Sequence, residues 1–280
     1  MLASRAMLLA LASAAPAALT PWRAAVLGAI QGLTEFLPVS SSAHLYIVPE
    51  LLGWRYEGVA FDVALHWGTL LALVAAFWRD WATLGRDAAT RSREGTRARA
   101  VLARLAVASL PAAIAGVLFE KVVESRMRAL PLQAVMLAVF GVLLWLSDRG
   151  RRAGRREDVP GWSTSLLVGL AQALALVPGV SRSGITMTAG RVAGMDRVSA
   201  ARFSFLLATP ITFGAGLLAL RHLPHDLPAT TLAIGVVTSA VVGSLTIRGL
   251  LRWLTRAGFG VFCVYRLALA ALILVRLALH

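Results

Sequence analysis

The chain is short of the residues that staple soluble domains together. Its one cysteine, Cys263, lies in an apolar run, which excludes a disulfide framework and a cysteine-based metal centre. Acids are scarce as well, 14 against 28 basic residues in 280, and all charged residues together make up 15%. No Walker-type glycine loop is present, which removes a nucleotide-dependent kinase from consideration. What remains is 58% hydrophobic, with a mean hydropathy of +0.73. That is too apolar for a soluble domain of this length and indicates a polytopic helical membrane protein. The net charge of +14 does not point to nucleic acid, because the bases sit in short connections between apolar runs, the ordinary cytoplasmic signature.

Residues 1–20 form an N-terminal extension. Arg5, the apolar stretch from Met7 to Ala15 and the small residues after it read as a signal-like segment. Residues 21–280 read as a single membrane domain. Apolar runs near the ~20 residues that a bilayer requires occur at 62–78, 101–119, 131–147, 202–220, 229–247 and 258–278. Two further segments, 22–53 and 162–195, are each an apolar half, a Pro/Ser/Gly break and a second short half. Broken backbone at membrane depth is tolerated only where protein or a wet cavity covers it, so these read as re-entrant helix–loop–helix hairpins.

The two hairpins share a motif at a spacing of 141 residues. Gly28-x-x-Gln31-x-Leu33 continuing to Val39-Ser40-Ser41-Ser42 matches Gly169-x-x-Gln172-x-Leu174 continuing to Val180-Ser181-Arg182-Ser183 without a gap. The basic connections are Arg79–Arg99, Arg149–Arg156 and Arg248–Arg256, whereas Glu120–Arg128 and Arg221–Asp226 are mixed. Placing the basic ones inside lets six spans alternate, with the first hairpin on the outer face and the second on the inner. The expected fold is therefore all-α, with six transmembrane helices and two re-entrant hairpins in an inverted-topology repeat, repeat 1 at 22–147 and repeat 2 at 162–278.

Chemistry concentrates at the breaks. Glu35 is the only acid between Arg23 and Glu50, His44 the only histidine there, and Arg182 the only charge between Asp158 and Arg191. An ionisable group in such a setting is costly without a partner and is a functional candidate by default. Glu35 and Arg182 could also neutralise each other as a structural pair, a reading that leaves the surrounding hydroxyls unexplained. A serine needs a base to become a nucleophile, and either His44 or Glu35 could serve Ser40 or Ser41. The bland use of a serine run after proline is a helix N-cap, which fits Ser42. Around Arg182, the segment Pro178-Gly179-Val180-Ser181-Arg182-Ser183-Gly184-Ile185-Thr186 offers a guanidinium, hydroxyls and loop amides opening a helix, an anion cradle suited to phosphate. A phosphate cradle facing a Glu/Ser/His cluster implies phosphoryl transfer or hydrolysis on a lipid phosphate. Glu35 is then also a candidate ligand for an oxygen-coordinated Mg²⁺ or Ca²⁺.

At these residues the sequence resembles the undecaprenyl-diphosphatase family of the bacitracin-resistance type. The segments from Gln31 through Thr34, Glu35, Pro38, Ser40, Ser41 and Ser42 to His44, and from Pro178 to Gly184, match that family's two motifs, with support from Phe203–Leu207 and Tyr265-Arg266. The resemblance covers nearly everything after residue 20. It implies hydrolysis of undecaprenyl diphosphate to undecaprenyl phosphate, recycling the lipid carrier for peptidoglycan synthesis and conferring bacitracin resistance. It also implies a divalent metal, Mg²⁺ or Ca²⁺, and a multi-pass protein of the cytoplasmic membrane whose site opens to the outer face. Carried over, Glu35 is metal ligand or acid/base, and Gln31, where relatives have Glu or Gln, is at most a neutral ligand. Ser41 is nucleophile or, with Ser40, a phosphate ligand; His44 is base or alternative nucleophile. Arg182 clamps the diphosphate with Ser181, Ser183 and Thr186.

Expected partners are the lipid diphosphate and membrane lipids, with a homodimer left open. His66, Arg104 and Arg202 are weaker candidates, explained as well by snorkelling or neutralisation; Arg266 should pair internally. The chief alternative is a polyprenyl-phosphate transporter or flippase using the same cradle. A membrane phosphatase of the type-2 phosphatidic acid phosphatase class is disfavoured, because its Pro-Ser-Gly-His element is absent.

Overall fold

The computed structural model describes residues 19–149, 154, 159–219 and 228–279. The signal-like segment up to residue 18, most of the Arg149–Arg156 connection and all of the Arg221–Asp226 connection lie outside them. The described residues form ten α-helices and no strand. In chain order these are α1 (Pro21–Phe36), α2 (Ser41–Leu51), α3 (Val59–Ala88), α4 (Arg93–Arg126), α5 (Leu130–Arg149), α6 (Trp162–Ala173), α7 (Arg182–Val192), α8 (Arg197–Ala219), α9 (Ala229–Leu254) and α10 (Gly260–Leu279). Six of them, α3, α4, α5, α8, α9 and α10, are long and apolar enough to cross a membrane, so the protein is a multi-pass membrane protein. Leu118, Leu245 and Val264 on these helices are more than half exposed, as lipid-facing side chains should be.

The four short helices come in pairs separated by breaks with local causes. Helix α1 opens with Pro21, whose missing N–H costs nothing there. It closes because Pro38 drives Leu37 out of the helical region, to φ −66°, ψ 141°. Helix α6 tightens into a single 3₁₀ turn, Leu174–Leu176, and Val177 before Pro178 is likewise extended, at φ −75°, ψ 119°.

The charged stretch 79–99 departs from the expected loop. Helix α3 runs on to Ala88 and α4 starts at Arg93, leaving only residues 89–92 as connection. Beyond the apolar zone the backbone still bonds to itself, and the arginines and alanines here are good helix formers. Helix α3 bends where it leaves the core, at Phe77 (φ −113°, ψ 18°). Arg202 holds Asp80 beside that bend at 2.6 Å, joining α8 to α3.

Each broken segment packs most closely against a span from the other half of the chain. Helix α1 lies on α9, where a Cβ on Gly28 would sit 2.3 Å from the Gly235 carbonyl oxygen and one on Gly32 2.6 Å from that of Ser239. Helix α6 lies on α4, where a Cβ on Gly169 would meet the Ala108 carbonyl oxygen at 2.3 Å. Among lipid tails there is no hydrophobic gain from helix pairing, so close backbone approach through small residues holds such contacts. Spans α5 and α10 pack on each other, as do α3 and α8. The largest buried cluster draws Phe36, Leu73, Phe77, Leu105, Leu144, Val168, Met187, Phe205, Leu250 and Phe259 from both sides of the chain's midpoint.

Gly32→Leu should overpack the α1–α9 seam at a cost of about 1–3 kcal/mol or more and lower the thermal midpoint of detergent-purified protein. Gly85→Ala, where a Cβ meets nothing, should raise that midpoint slightly. Equal effects at the two sites would contradict this packing.

Candidate active site

Both breaks end in a serine with a left-handed backbone. Ser40 has φ 75° and Ser181 φ 72°, the only non-glycine residues with positive φ among those described. They occupy equivalent places in the duplicated motif, each immediately before the second half-helix. Such a conformation costs on the order of 1–3 kcal/mol and persists where the surroundings enforce it, commonly at functional sites. Ser181 caps α7 by accepting a hydrogen bond from the Gly184 amide at 3.2 Å. Ser40 makes no such cap; its hydroxyl lies 3.2 Å from that of Ser42.

The surroundings that enforce the two loops centre on Arg266 of α10. Its guanidinium is fully buried and donates only to main-chain carbonyls: Leu137 at 2.9 Å, Pro38 at 3.1 Å, Met136 at 3.3 Å, Gly179 at 2.8 Å and Val180 at 3.0 Å. One side chain thus satisfies carbonyls from both breaks and from α5. Ser183 adds a direct tie, donating to the Leu37 carbonyl at 3.1 Å.

The ends of the two breaks meet at Glu35, which is 7% exposed. Its Oε1 accepts from Arg182 Nη2 at 2.5 Å, and its Oε2 from Ser41 Oγ at 2.6 Å and Gln31 Nε2 at 3.2 Å. The Glu35–Arg182 pair, set aside in the sequence reading as merely structural, therefore forms, and Ser41 and Arg182 address opposite oxygens of one carboxylate. The pair leaves reactive capacity over: Arg182 Nη1 is buried and makes no hydrogen bond.

A second histidine joins this cluster. His66, on the second turn of α3, has Nδ1 2.7 Å from the Asp62 carbonyl oxygen and Nε2 3.5 Å from Glu35 Oε2. Both ring nitrogens face acceptors, a geometry met by the imidazolium. His44 is placed differently. Its Nδ1 donates to the Ser40 carbonyl at 2.7 Å, and its Nε2 accepts from the Tyr265 hydroxyl at 2.6 Å, the two rings stacking at 5.6 Å. Glu35, rather than His44, is the group bonded to Ser41.

These groups open into a cavity of about 610 Å³. Its polar end holds Thr34, Glu35, Ser40, Ser41, Ser42, His66, Gln172, Ser181 and Arg182. Its apolar walls are small residues of α4 and α8, among them Ala112, Ala113, Gly116, Gly214 and Ala215. His44, Gln31, Ser183 and Thr186 do not line it; Thr186 Oγ1 sits 2.6 Å from the Ser204 hydroxyl and donates to the Arg182 carbonyl at 2.8 Å. Of the other secondary residues, Arg202 is taken by Asp80, and the Arg104 guanidinium lies over Trp162 at 5.6 Å.

Comparison with known proteins gives the family. The family described as Bacitracin resistance protein BacA matches residues 24–272. The chain belongs to that family. Among curated BacA-like relatives, a protein of Pelotomaculum thermopropionicum is 46% identical over 257 residues, covering 92% of this chain and 97% of its own. One of Moorella thermoacetica is 49% identical over 261 residues (91% and 97%), and one of Gemmatimonas aurantiaca is 47% identical over 268 (93% and 99%). All three are named undecaprenyl-diphosphatase.

Arg266→Leu should orphan carbonyls in both breaks, at about 1 kcal/mol or more for each. The expected outcome is loss of a monodisperse species on size exclusion; a variant as stable as the parent would show that the loops are held by something else.

Proposed function

We propose that this BacA-family protein hydrolyses undecaprenyl diphosphate to undecaprenyl phosphate and inorganic phosphate, recycling the lipid carrier for peptidoglycan synthesis and thereby conferring bacitracin resistance. The observation that carries the reading is the Glu35 carboxylate holding Arg182 and Ser41 at the polar end of an apolar cavity. The lipid's diphosphate belongs at that end, with its first isoprene units along α4 and α8. A bound diphosphate competes with Glu35 for the Arg182 guanidinium, whose Nη1 donors are already free, and a planar fork suits two phosphoryl oxygens.

With Arg182 drawn to the phosphate, Glu35 remains as acceptor for the Ser41 proton. Ser41 Oγ then attacks the terminal phosphorus, the bridging P–O bond breaks, and the prenyl monophosphate leaves. Glu35 passes that proton to the departing prenyl phosphate; in the second step water attacks the phosphoserine, giving a proton to Glu35, which returns it to Ser41 as phosphate leaves. His66 adds positive charge beside the developing negative charge. Ser40 and Ser181, fixed at the two breaks, supply hydroxyls on the cavity wall.

A divalent ion fits the donors present in one way. Among the described residues no three His, Cys, Asp or Glu side chains cluster. Gln31 Oε1, however, is buried without a hydrogen bond next to Glu35. Glu35 would hold Mg²⁺ or Ca²⁺ from the cavity side, with substrate phosphate and water as further ligands, and Gln31, behind that carboxylate and off the cavity wall, would add at most its Oε1. When bound, the ion supplies charge neutralisation to the diphosphate.

The same reading takes residues 21–280 as one membrane domain of two inverted repeats, 22–147 and 162–278, each opening with a re-entrant hairpin. The reciprocal packing of α1 on α9 and of α6 on α4 supports it. With the basic connections inside, the cavity opens outward, between the starts of α3 and the ends of α4 and α8, in the cytoplasmic membrane.

Detergent-purified protein should release phosphate from undecaprenyl or farnesyl diphosphate, lose the activity in EDTA and regain it with Mg²⁺ or Ca²⁺. Arg182→Ala and Ser41→Ala should each lower kcat by about 10²-fold or more. Well-folded protein that binds the lipid diphosphate without releasing phosphate would instead make this a carrier.

A further inference from the structure

The two hairpins carry glutamines at matching positions, and the two differ in what they touch. In the first, Gln31 donates to Glu35 one helical turn on. In the second, the residue one turn beyond Gln172 is Leu176, so the duplicated glutamine has no carboxylate to serve. Gln172 is nevertheless 2% exposed, and neither its Nε2 nor its Oε1 has a hydrogen-bond partner. It lines the cavity, together with Arg182, whose Nη1 is equally unpartnered. A buried primary amide left unpaired on both sides is destabilising, and leucine would fill the same space without that cost. An amide retained there is explained by a ligand that pairs with it.

We infer that Gln172 is a substrate-binding residue of the second hairpin, which holds the diphosphate beside Arg182. Its Nε2 donates to a phosphoryl oxygen, and its Oε1 accepts from a water or a P–OH on the same phosphoryl group. The inference rests on the proposed hydrolase reading, since it takes the cavity's ligand to be a lipid diphosphate. The first hairpin then supplies the nucleophile and its proton acceptor. The second supplies a cation and a neutral donor–acceptor pair, so that the duplicated halves have divided the work on one phosphate chain.

The test compares Gln172→Leu and Gln172→Glu with the parent, reading kcat and KM for farnesyl diphosphate and the thermal midpoint without substrate. Gln172→Leu should raise KM about tenfold, change kcat by less than about threefold, and leave the midpoint unchanged or higher, because an orphan polar group has been removed. Gln172→Glu should raise KM further, by setting a negative charge against the phosphate. An unchanged KM in Gln172→Leu would overturn the inference and leave the amide paired with water alone. So would a lowered midpoint with KM unmoved, the mark of a structural residue. Should the parent fail to hydrolyse the substrate, titration with the methylene-bisphosphonate analogue of farnesyl diphosphate reads the inference separately. Weaker binding by Gln172→Leu supports it, and equal binding refutes it.

Discussion

A guanidinium that meets no acid among the described residues organises this protein. Arg266 lies in the last span, far in sequence from everything it binds, and its five hydrogen bonds all end on carbonyls. Three of those carbonyls, of Pro38, Gly179 and Val180, belong to the two places where helices break. Inside a membrane a broken helix has no water to satisfy its freed carbonyls, so something must replace it. The buried arginine does so for both breaks at once, and in doing so fixes their separation. The left-handed Ser40 and Ser181, and the bonding of Arg182 and Ser41 to one carboxylate, are consequences of that placement.

From this the chemistry follows by charge. The Glu35–Arg182 pair is stable only while nothing more negative is present, because a desolvated guanidinium favours whichever anion offers more charge and better fork geometry. A diphosphate offers both. In the proposed reaction the resting ion pair would work as a preset trigger, holding Glu35 and Arg182 paired when the cavity is empty and freeing a proton acceptor for Ser41 when a diphosphate fills it. The small residues of α4 and α8 that wall the cavity leave room for a prenyl chain, with Ser109 and Thr212 the polar side chains these two helices add to the wall.

Much of this is legible in the sequence, for reasons that also set the limit. The apolar runs and the Pro/Ser breaks are local signals, and helices appear where they point, with the breaks at Pro38 and Pro178. The isolation of Glu35 and Arg182 in apolar surroundings marks them without any structure. Contacts between distant residues are not legible in the same way. His66 resembles a helix-end residue until α3 is seen to carry it to Glu35, 31 residues earlier in the chain. His44 shares a motif with Ser41, yet helical geometry turns it toward Tyr265. Ser183 and Thr186 look like phosphate ligands in a Ser-Arg-Ser string, but their hydroxyls go to Leu37 and Ser204. The partners of Arg266 are carbonyls, which leave no trace in side-chain identity. The continuation of α3 through the charged stretch to Ala88 leaves no mark in the sequence, because a run of charges suits an exposed helix end as well as a loop.

The most direct test of the central claim is an experimental structure in lipid with a methylene-bisphosphonate analogue of a prenyl diphosphate. The account predicts the terminal phosphorus between Ser41 Oγ and the Arg182 guanidinium, the guanidinium turned from Glu35 toward it, and the prenyl chain between α4 and α8. Density for the analogue elsewhere, or Glu35 and Arg182 still paired beside an occupied site, would contradict it.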